Sequence, residues 1–326
     1  MKEIYQEGAM RSYLKLSVCV VTFLLVFFLA ALGSGASRAK LEKIASSDAI
    51  YEYRAAAGMA LSGVYAEAGV DQSELLGVAT TGSTEEIRNA IIPALADLYR
   101  DVSDLTSSAE LQVQAEGLRG KLSQADLPQV REAAARALSS YFVAFNLNDV
   151  DGYRMEDLEQ LVESSEVEEI RYAAARALPS IYASEKSLED LEDLLEGEAS
   201  ETIKEAAAEA LGLRYGTSLF PNYSVEEMEQ MAGNEELNPW HRKAAGIAFG
   251  RLAHQEKTLE ELTRLTKAGA TPELQNGATK ALAEKLIQSE KTHRELLKMA
   301  VSATSWAPEP YRMAIVEALA DRLRAE

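Results

Sequence analysis

Apolar residues recur along most of the chain with the spacing of amphipathic helices, and one nine-residue pattern returns repeatedly. It reads VREAAARAL at Val130–Leu138, IRYAAARAL at Ile170–Leu178 and IKEAAAEAL at Ile203–Leu211. If its basic residue is position zero, positions −1, +3, +7 and +11 fall on one side of a helix and form an apolar stripe. The pattern therefore predicts a helix that buries this stripe against a second helix.

The pattern occurs eight times when it is defined by alanine at +6 followed by a large apolar residue at +7. The position-zero residues are Arg54, Arg88, Arg131, Arg171, Lys204, Arg242, Gln275 and Arg312. The alanines at +6 are Ala60, Ala94, Ala137, Ala177, Ala210, Ala248, Ala281 and Ala318. Successive copies are 33 to 43 residues apart, a period that suits one helical hairpin per repeat. The small residue at +6 would let a neighbouring helix approach closely.

A shorter amphipathic segment precedes most copies of the pattern, and its start carries helix-capping signals. A serine or threonine is followed three residues later by an acid, which is the reciprocal capping box. The four pairs are Ser187–Asp190, Ser224–Glu227, Thr258–Glu261 and Thr292–Glu295. Asn238-Pro239 and Thr271-Pro272 place a cap residue before a proline at the first position of the second helix. The unit is therefore predicted to be helix A, a turn, helix B and a loop.

These repeats resemble HEAT-type repeats, in the short alanine-rich form also found in phycobilisome-lyase-like proteins. The resemblance covers residues 40–326 as one domain. It implies an all-α fold, a right-handed α–α superhelix of about eight helical hairpins with helices B on the concave side, and protein partners. The first repeat is irregular, because its helix A would have to come from Lys40–Ala49, and it could serve as an end cap.

The other columns of the repeat are interpreted as structural. The aromatic residues at +11 continue the apolar stripe and are expected in the core; they are Tyr65, Tyr99, Phe142, Tyr182 and Tyr215. The position-zero arginines stand near acids such as Glu86, Glu169 and Glu273. We expect them to bridge to the turn of an adjacent repeat.

Residues 1–36 differ from the rest of the chain. Leu16–Leu32 is uncharged, with basic residues before it and small residues after it, which indicates an export signal. Its seventeen residues fall between a signal-peptide core and the roughly 20 residues that span a bilayer. Small residues at Ala36 and Ala39 favour cleavage, and a retained anchor stays open. The chain is thus predicted to be periplasmic or extracellular, with membrane contact only through residues 16–32 if they are uncleaved.

The charge excludes nucleic acid as an expected partner. The net charge is −19, and 30 basic residues stand against 50 acidic ones after residue 36, so the surface repels phosphates. Met155–Ala210 holds 17 acids and 4 bases. This region is either a solvated acidic face, which we favour, or a docking surface for a basic partner.

The sequence predicts no catalytic residues, no cofactor and no metal site. The only cysteine, Cys19, lies in the N-terminal segment, and the three histidines lack the spacing of a zinc-binding helix. Asn146–Asp157 resembles a calcium loop only in part, since Leu147 and Leu158 fall where acidic ligands belong. A lyase-like activity on a protein-bound prosthetic group is implied only by the resemblance, and export and the missing thiol oppose it.

Two surfaces are candidates for binding a partner. The first is the side of helix B opposite the core stripe, at +1 and +5, where mixed charges and one tyrosine suit a polar protein or peptide. Its residues are Glu132, Arg136, Tyr172, Arg176, Glu205, Glu209, Lys243 and Lys280. The second comprises the loops Phe145–Arg154 and Gly216–Tyr223, which carry the aromatic residues Phe145, Tyr153, Phe220 and Tyr223. Packing of these aromatic residues against the repeat ends is the favoured alternative.

The sequence therefore predicts a non-catalytic scaffold of the cell envelope or extracellular space. It would grip a protein or peptide, basic partners included, on its concave helix-B surface. The alternative is a membrane-tethered structural element of the envelope.

Overall fold

The computed structural model describes residues 38–100, 108–147, 153–216, 223–303 and 307–325. Sixteen helices and no β-strand occur in these ranges, which confirms the all-α prediction. Within the same ranges, no helix is long and apolar enough to cross a membrane. The predicted export segment lies outside the described residues.

The helices alternate along the chain between an outer helix A and an inner helix B. The helices A are α1 (38–45), α3 (Gln72–Thr81), α5 (Ser108–Gln124), α7 (Met155–Ser164), α9 (Leu188–Glu196), α11 (Val225–Gly233), α13 (Leu259–Ala268) and α15 (His293–Ala303). The helices B are α2 (Tyr51–Glu67), α4 (Glu85–Tyr99), α6 (Pro128–Leu147), α8 (Glu168–Glu185), α10 (Glu201–Tyr215), α12 (Pro239–Glu256), α14 (Pro272–Ile287) and α16 (Glu309–Ala325). Each position-zero residue lies in a helix B, so the predicted order of eight hairpins is confirmed.

The predicted capping boxes start the helices A. At α9 the Ser187 amide donates to Asp190 Oδ2 at 2.9 Å, and the Asp190 amide donates back to Ser187 Oγ at 3.0 Å. The other three boxes repeat this exchange. At α14 the Thr271 hydroxyl caps its own helix and also donates to the carbonyl of Ala232 at the end of α11. Caps of this kind tie one repeat to the previous one.

The core lies between each helix A and its helix B. The residues at +3 and +7 are buried in all eight repeats. Most aromatic residues at +11 are buried with them, and Tyr99 is partly buried. The hydroxyls of three tyrosines donate to a glutamate of helix A in the same repeat: Tyr65 to Glu42, Tyr182 to Glu159 and Tyr215 to Glu192, at 3.0, 2.5 and 3.2 Å. These bonds satisfy the polar tips of the buried rings.

Neighbouring helices B pack closely because small residues line their contacts. The alanine at +6 is at most 3 % exposed in every repeat. At the α12–α14 contact even alanine is too large, since a Cβ on Gly277 would lie 2.3 Å from the carbonyl oxygen of Gly246. A Cβ on Gly246 would lie 2.5 Å from the carbonyl oxygen of Glu273. Backbone therefore packs against backbone at this contact.

The row of helices B closes on itself, because α16 packs against α2. The outer helix α15 also contacts α2, just as α13 contacts α16 and α11 contacts α14. The last repeat therefore contacts the first in the same way as each repeat contacts the next one along the chain. The eight helices B form the inner wall of a ring, and the helices A lie outside it. The sequence predicted the repeats and the concave side but not this closure.

The first repeat differs from the prediction in two ways. Its helix A covers residues 38–45 instead of extending to Ala49. The hydroxyls of Ser46 and Ser47 donate to the carbonyls of Glu42 and Ile44 and end the helix there. The repeat is also not an end cap, since its helix B packs against α16.

The ring encloses a lumen whose width follows from helix packing. With neighbouring helix axes about 9 Å apart, eight helices give a ring of roughly 24 Å across the axes. Subtracting about 10 Å for the width of the helices leaves an opening of roughly 14 Å. An extended peptide or a single helix fits such an opening, whereas a folded domain does not.

The close α12–α14 contact can be tested by adding one methyl group. We expect Gly277→Ala to destabilise the chain by about 1–3 kcal/mol, because the added Cβ forces the two backbones apart. Gly77→Ala is the control, since a Cβ there meets nothing within 4 Å and should stabilise α3 by about 0.5–1 kcal/mol. Urea denaturation measures both changes, and equal stability of the two variants would contradict this contact.

Candidate functional site

The position-zero arginines join successive repeats by ion pairs. Arg131 Nε lies 2.9 Å from Glu169 Oε1, an acid at −2 in the next helix B. Its Nη1 donates to the carbonyl of Ala125, in the turn of its own repeat, at 2.8 Å. The Arg54–Glu86 and Arg242–Glu273 pairs have the same arrangement at 3.3 and 3.4 Å. The prediction that these arginines bridge to an adjacent repeat is confirmed for these three pairs, because the acids lie in the first turn of the neighbouring helix B. The carbonyl that each arginine also binds belongs to the turn of its own repeat.

The same ion pair closes the ring. Arg312 of the last repeat binds Glu52 of the first, with Nη1 2.8 Å from Oε1. Glu52 stands at −2 of its repeat, as the partner acids do elsewhere, and it is only 2 % exposed. Removing a carboxylate from water is costly without a partner, and the guanidinium of Arg312 supplies that partner where α16 packs against α2.

The predicted concave residues line the lumen, and several form ion pairs there. Within α6, Arg136 Nη2 lies 2.6 Å from Glu132 Oε1. Between α12 and α10, Lys243 binds Glu205 and lies 3.8 Å from Glu209. Much of the charge at +1 and +5 is therefore neutralised by ion pairs between lumen residues.

Two lumen carboxylates lie in an environment that disfavours their charge. Desolvation by the surrounding ring raises the pKa of Glu209, against the opposing effect of Lys243. Desolvation also raises the pKa of Glu317 of α16, against the opposing effect of Lys280. Lys280 influences both groups, so charges on α10, α14 and α16 act on one another across the lumen.

A pocket of about 450 Å³ opens at the seam between α8 and α10. Four predicted residues line it: Tyr172, Arg176, Glu205 and Glu209. Tyr172 is 43 % exposed, so the pocket presents an aromatic surface beside charged groups. Arg171 and Thr202 also line the pocket, although the repeat pattern assigned neither of them to a binding surface. The replacement of the usual glutamate at −2 by Thr202 is the signal that could have identified them.

The three aromatic residues of the predicted edge loops that the structure describes are packed against helices B. Phe145 is fully buried in the last turns of α6, as the favoured packing alternative predicted, and the expected loop boundary at Phe145 is corrected. Tyr153 is 5 % exposed and stacks on Phe145 with ring centroids 4.5 Å apart. Tyr223 packs against Tyr215 at 4.6 Å, and Phe220 lies outside the described residues. The aromatic residues that the structure describes therefore pack at the ends of helices B.

The described part of the chain contains no group of three or more His, Cys, Asp or Glu residues that could hold a metal ion. The calcium-like segment at 146–157 lies in part outside the described residues.

Comparison with known proteins identifies the repeats. A family model for HEAT repeats matches residues 115–212, from the middle of α5 through most of α10. The match confirms HEAT-type repeats over residues 115–212, and the hairpins before and after them continue the same packing. No curated protein and no solved structure matches the chain. HEAT repeats typically form non-catalytic scaffolds for protein interaction.

The raised pKa of Glu209 predicts how the stability of the folded chain depends on pH. Its folded pKa lies above the unfolded value, so the folded state loses stability as the pH rises through this range. We expect Glu209→Gln to be more stable than the unmodified chain at pH 7, and the difference to vanish below the unfolded pKa of about 4.3. Thermal denaturation from pH 4 to 8 tests this. A variant that is less stable at pH 7 would show that the Lys243 ion pair outweighs desolvation.

Proposed function

We propose that the ring is a non-catalytic scaffold that grips a segment of a partner protein in its lumen, with the α8–α10 seam as the main contact. The observation that carries this proposal is the pocket at that seam, where the half-exposed Tyr172 lies beside Arg176 and two glutamates. Exposed aromatic and arginine side chains in a concave site are the residues that most often dominate binding energy.

The size of the lumen narrows the choice of partner. An opening of roughly 14 Å, derived from the spacing of packed helices, admits an extended chain or one helix. The lumen wall is polar and charged at +1 and +5, which suits a hydrophilic segment. We therefore propose a loop or terminal segment of a protein as the bound element, and not a folded domain or a lipid.

We further propose that the scaffold works outside the cytoplasm, in the cell envelope or the extracellular space. The support is the uncharged segment at Leu16–Leu32 behind basic residues. If this segment is retained, the ring is tethered to the membrane through it. The acidic region at 155–210 contributes α7 and α9 to the outer surface, where the first-turn acids Glu156, Glu189 and Asp190 are exposed. A basic partner would complement that region.

The proposal predicts that Tyr172 is a main determinant of binding. We expect Tyr172→Ala and Arg176→Glu each to lower the recovery of crosslinked partners from an envelope fraction by roughly ten-fold, as for residues that dominate an interface. Tyr51→Ala is the matched control, because Tyr51 is 58 % exposed and stands at −3, outside the +1 and +5 face. Quantitative mass spectrometry measures recovery.

Each variant should keep the circular dichroism spectrum and denaturation midpoint of the unmodified chain. If folded Tyr172→Ala and Arg176→Glu recover the same partners in the same yield as Tyr51→Ala, the lumen is not the binding surface and the proposal fails.

A further inference from the structure

The seam between α8 and α10 lacks an interaction that most other arginine-bearing seams have. Six repeats carry arginine at position zero, and four of these arginines bind a glutamate at −2 in the next helix B. The four pairs are Arg54–Glu86, Arg131–Glu169, Arg242–Glu273 and Arg312–Glu52. At the α8–α10 seam the residue at −2 is Thr202. Arg171 therefore faces a hydroxyl where its counterparts face a carboxylate.

The missing acid leaves positive charge unpaired at the pocket. Arg171 Nη1 donates to the carbonyl of Ser165 at 2.5 Å, as its counterparts donate to their own turns. In the described part of the chain, Arg171 forms no ion pair, and Arg176 forms neither an ion pair nor a hydrogen bond. Both line the same pocket. Two guanidinium groups thus open onto one cavity.

The carboxylates of the pocket do not supply the missing charge. Lys243 on the far side of α10 binds Glu205 and lies 3.8 Å from Glu209. Glu168 lies in the first turn of α8, where the helix dipole already favours a negative group. Glu209 also interacts electrostatically with Arg176. Arg171 is therefore the cation of this seam to which the described residues supply no carboxylate.

We propose that the α8–α10 seam binds the side-chain carboxylate of an aspartate or glutamate in the partner segment. This carboxylate takes the place that a glutamate at −2 has at the other four seams, between the guanidinium groups of Arg171 and Arg176. The Thr202 hydroxyl is a further donor, and Tyr172 packs against the neighbouring part of the segment. The inference rests on the proposed function in that it names one side chain of the bound segment.

Restoring the missing glutamate tests this site directly. In Thr202→Glu the new carboxylate should bind Arg171 as Glu169 binds Arg131, and it should exclude a carboxylate from the partner. Gln129→Glu is the matched control, because Gln129 stands at −2 opposite Arg88 and adds the same charge at a different seam. Both variants are made in the full chain.

The probe is the peptide N-acetyl-Ala-Glu-Ala-amide, compared with its glutamine analogue, which has the same shape and no charge. Binding is followed through the NMR signals of the Arg171 Nε–H group and the Tyr172 amide. We expect the Glu peptide to bind about ten-fold more tightly than the Gln peptide, as for a hydrogen bond to a charged group. This preference should vanish in Thr202→Glu and persist in Gln129→Glu.

Equal binding of the two peptides, or a preference unchanged in Thr202→Glu, would overturn the inference. The partner-recovery experiment separates this failure from failure of the proposed function. If Tyr172→Ala loses partners while Thr202→Glu keeps them in full, the lumen binds a segment but the carboxylate site is refuted. If Tyr172→Ala keeps them as well, the proposed function itself fails.

Discussion

The close approach of neighbouring helices B is the constraint on which the rest of the structure depends. Alanine or glycine stands at +2 and +6 of every repeat, and these residues are buried where one helix B meets the next. Larger side chains there would separate the helices and change the rotation from one repeat to the next. A ring of eight requires each step to turn by one eighth of a circle, so small packing changes would accumulate around it.

The ion pair between position zero and −2 complements this packing. It lies at the N-terminal ends of helices B, where four of the six arginines bind a glutamate of the next helix. Three of these four, Arg54, Arg131 and Arg242, also donate to a carbonyl in the turn of their own repeat. The closure between α16 and α2 uses the same arginine, the same acid position and the same helix contacts as an internal step. The closing contact is therefore of the same kind as the internal ones, because the first repeat presents to the last the −2 glutamate that Glu86, Glu169 and Glu273 present at the other three ion-paired seams.

Local patterns predicted the repeats well because each is specified by its own residues. The +6 alanine and the capping boxes identified the hairpins, and the +11 residues identified the core. The closure was not predicted, because curvature depends on the sum of eight contacts. Glu52 was a signal for closure in the sequence. It stands at −2 of the first repeat, and no earlier repeat supplies a position-zero arginine to pair with it. Phe145 was misplaced because SSYFVAF continues the apolar stripe of α6 beyond the expected loop boundary.

The candidate site follows from a departure from the repeat, and not from a motif. Thr202 replaces a glutamate, and the space and charge that this leaves open lie beside Tyr172 and Arg176 on the lumen wall. Ring closure determines the electrostatic environment of this seam, because charged residues on α10, α14 and α16 then lie in one enclosed space. An open array would expose the same side chains on a wide concave face, with less desolvation of Glu209 and Glu317.

The ring closure is tested most directly by the distance between the first and last helices B. Spin labels at Glu67→Cys on α2 and Ala325→Cys on α16, in a chain carrying Cys19→Ser, report it by pulsed electron paramagnetic resonance. Adjacent packed helices predict a single population below about 30 Å, including the label arms. A broad population centred near 60 Å, as seven steps of about 9 Å would give in an open array, would contradict the ring.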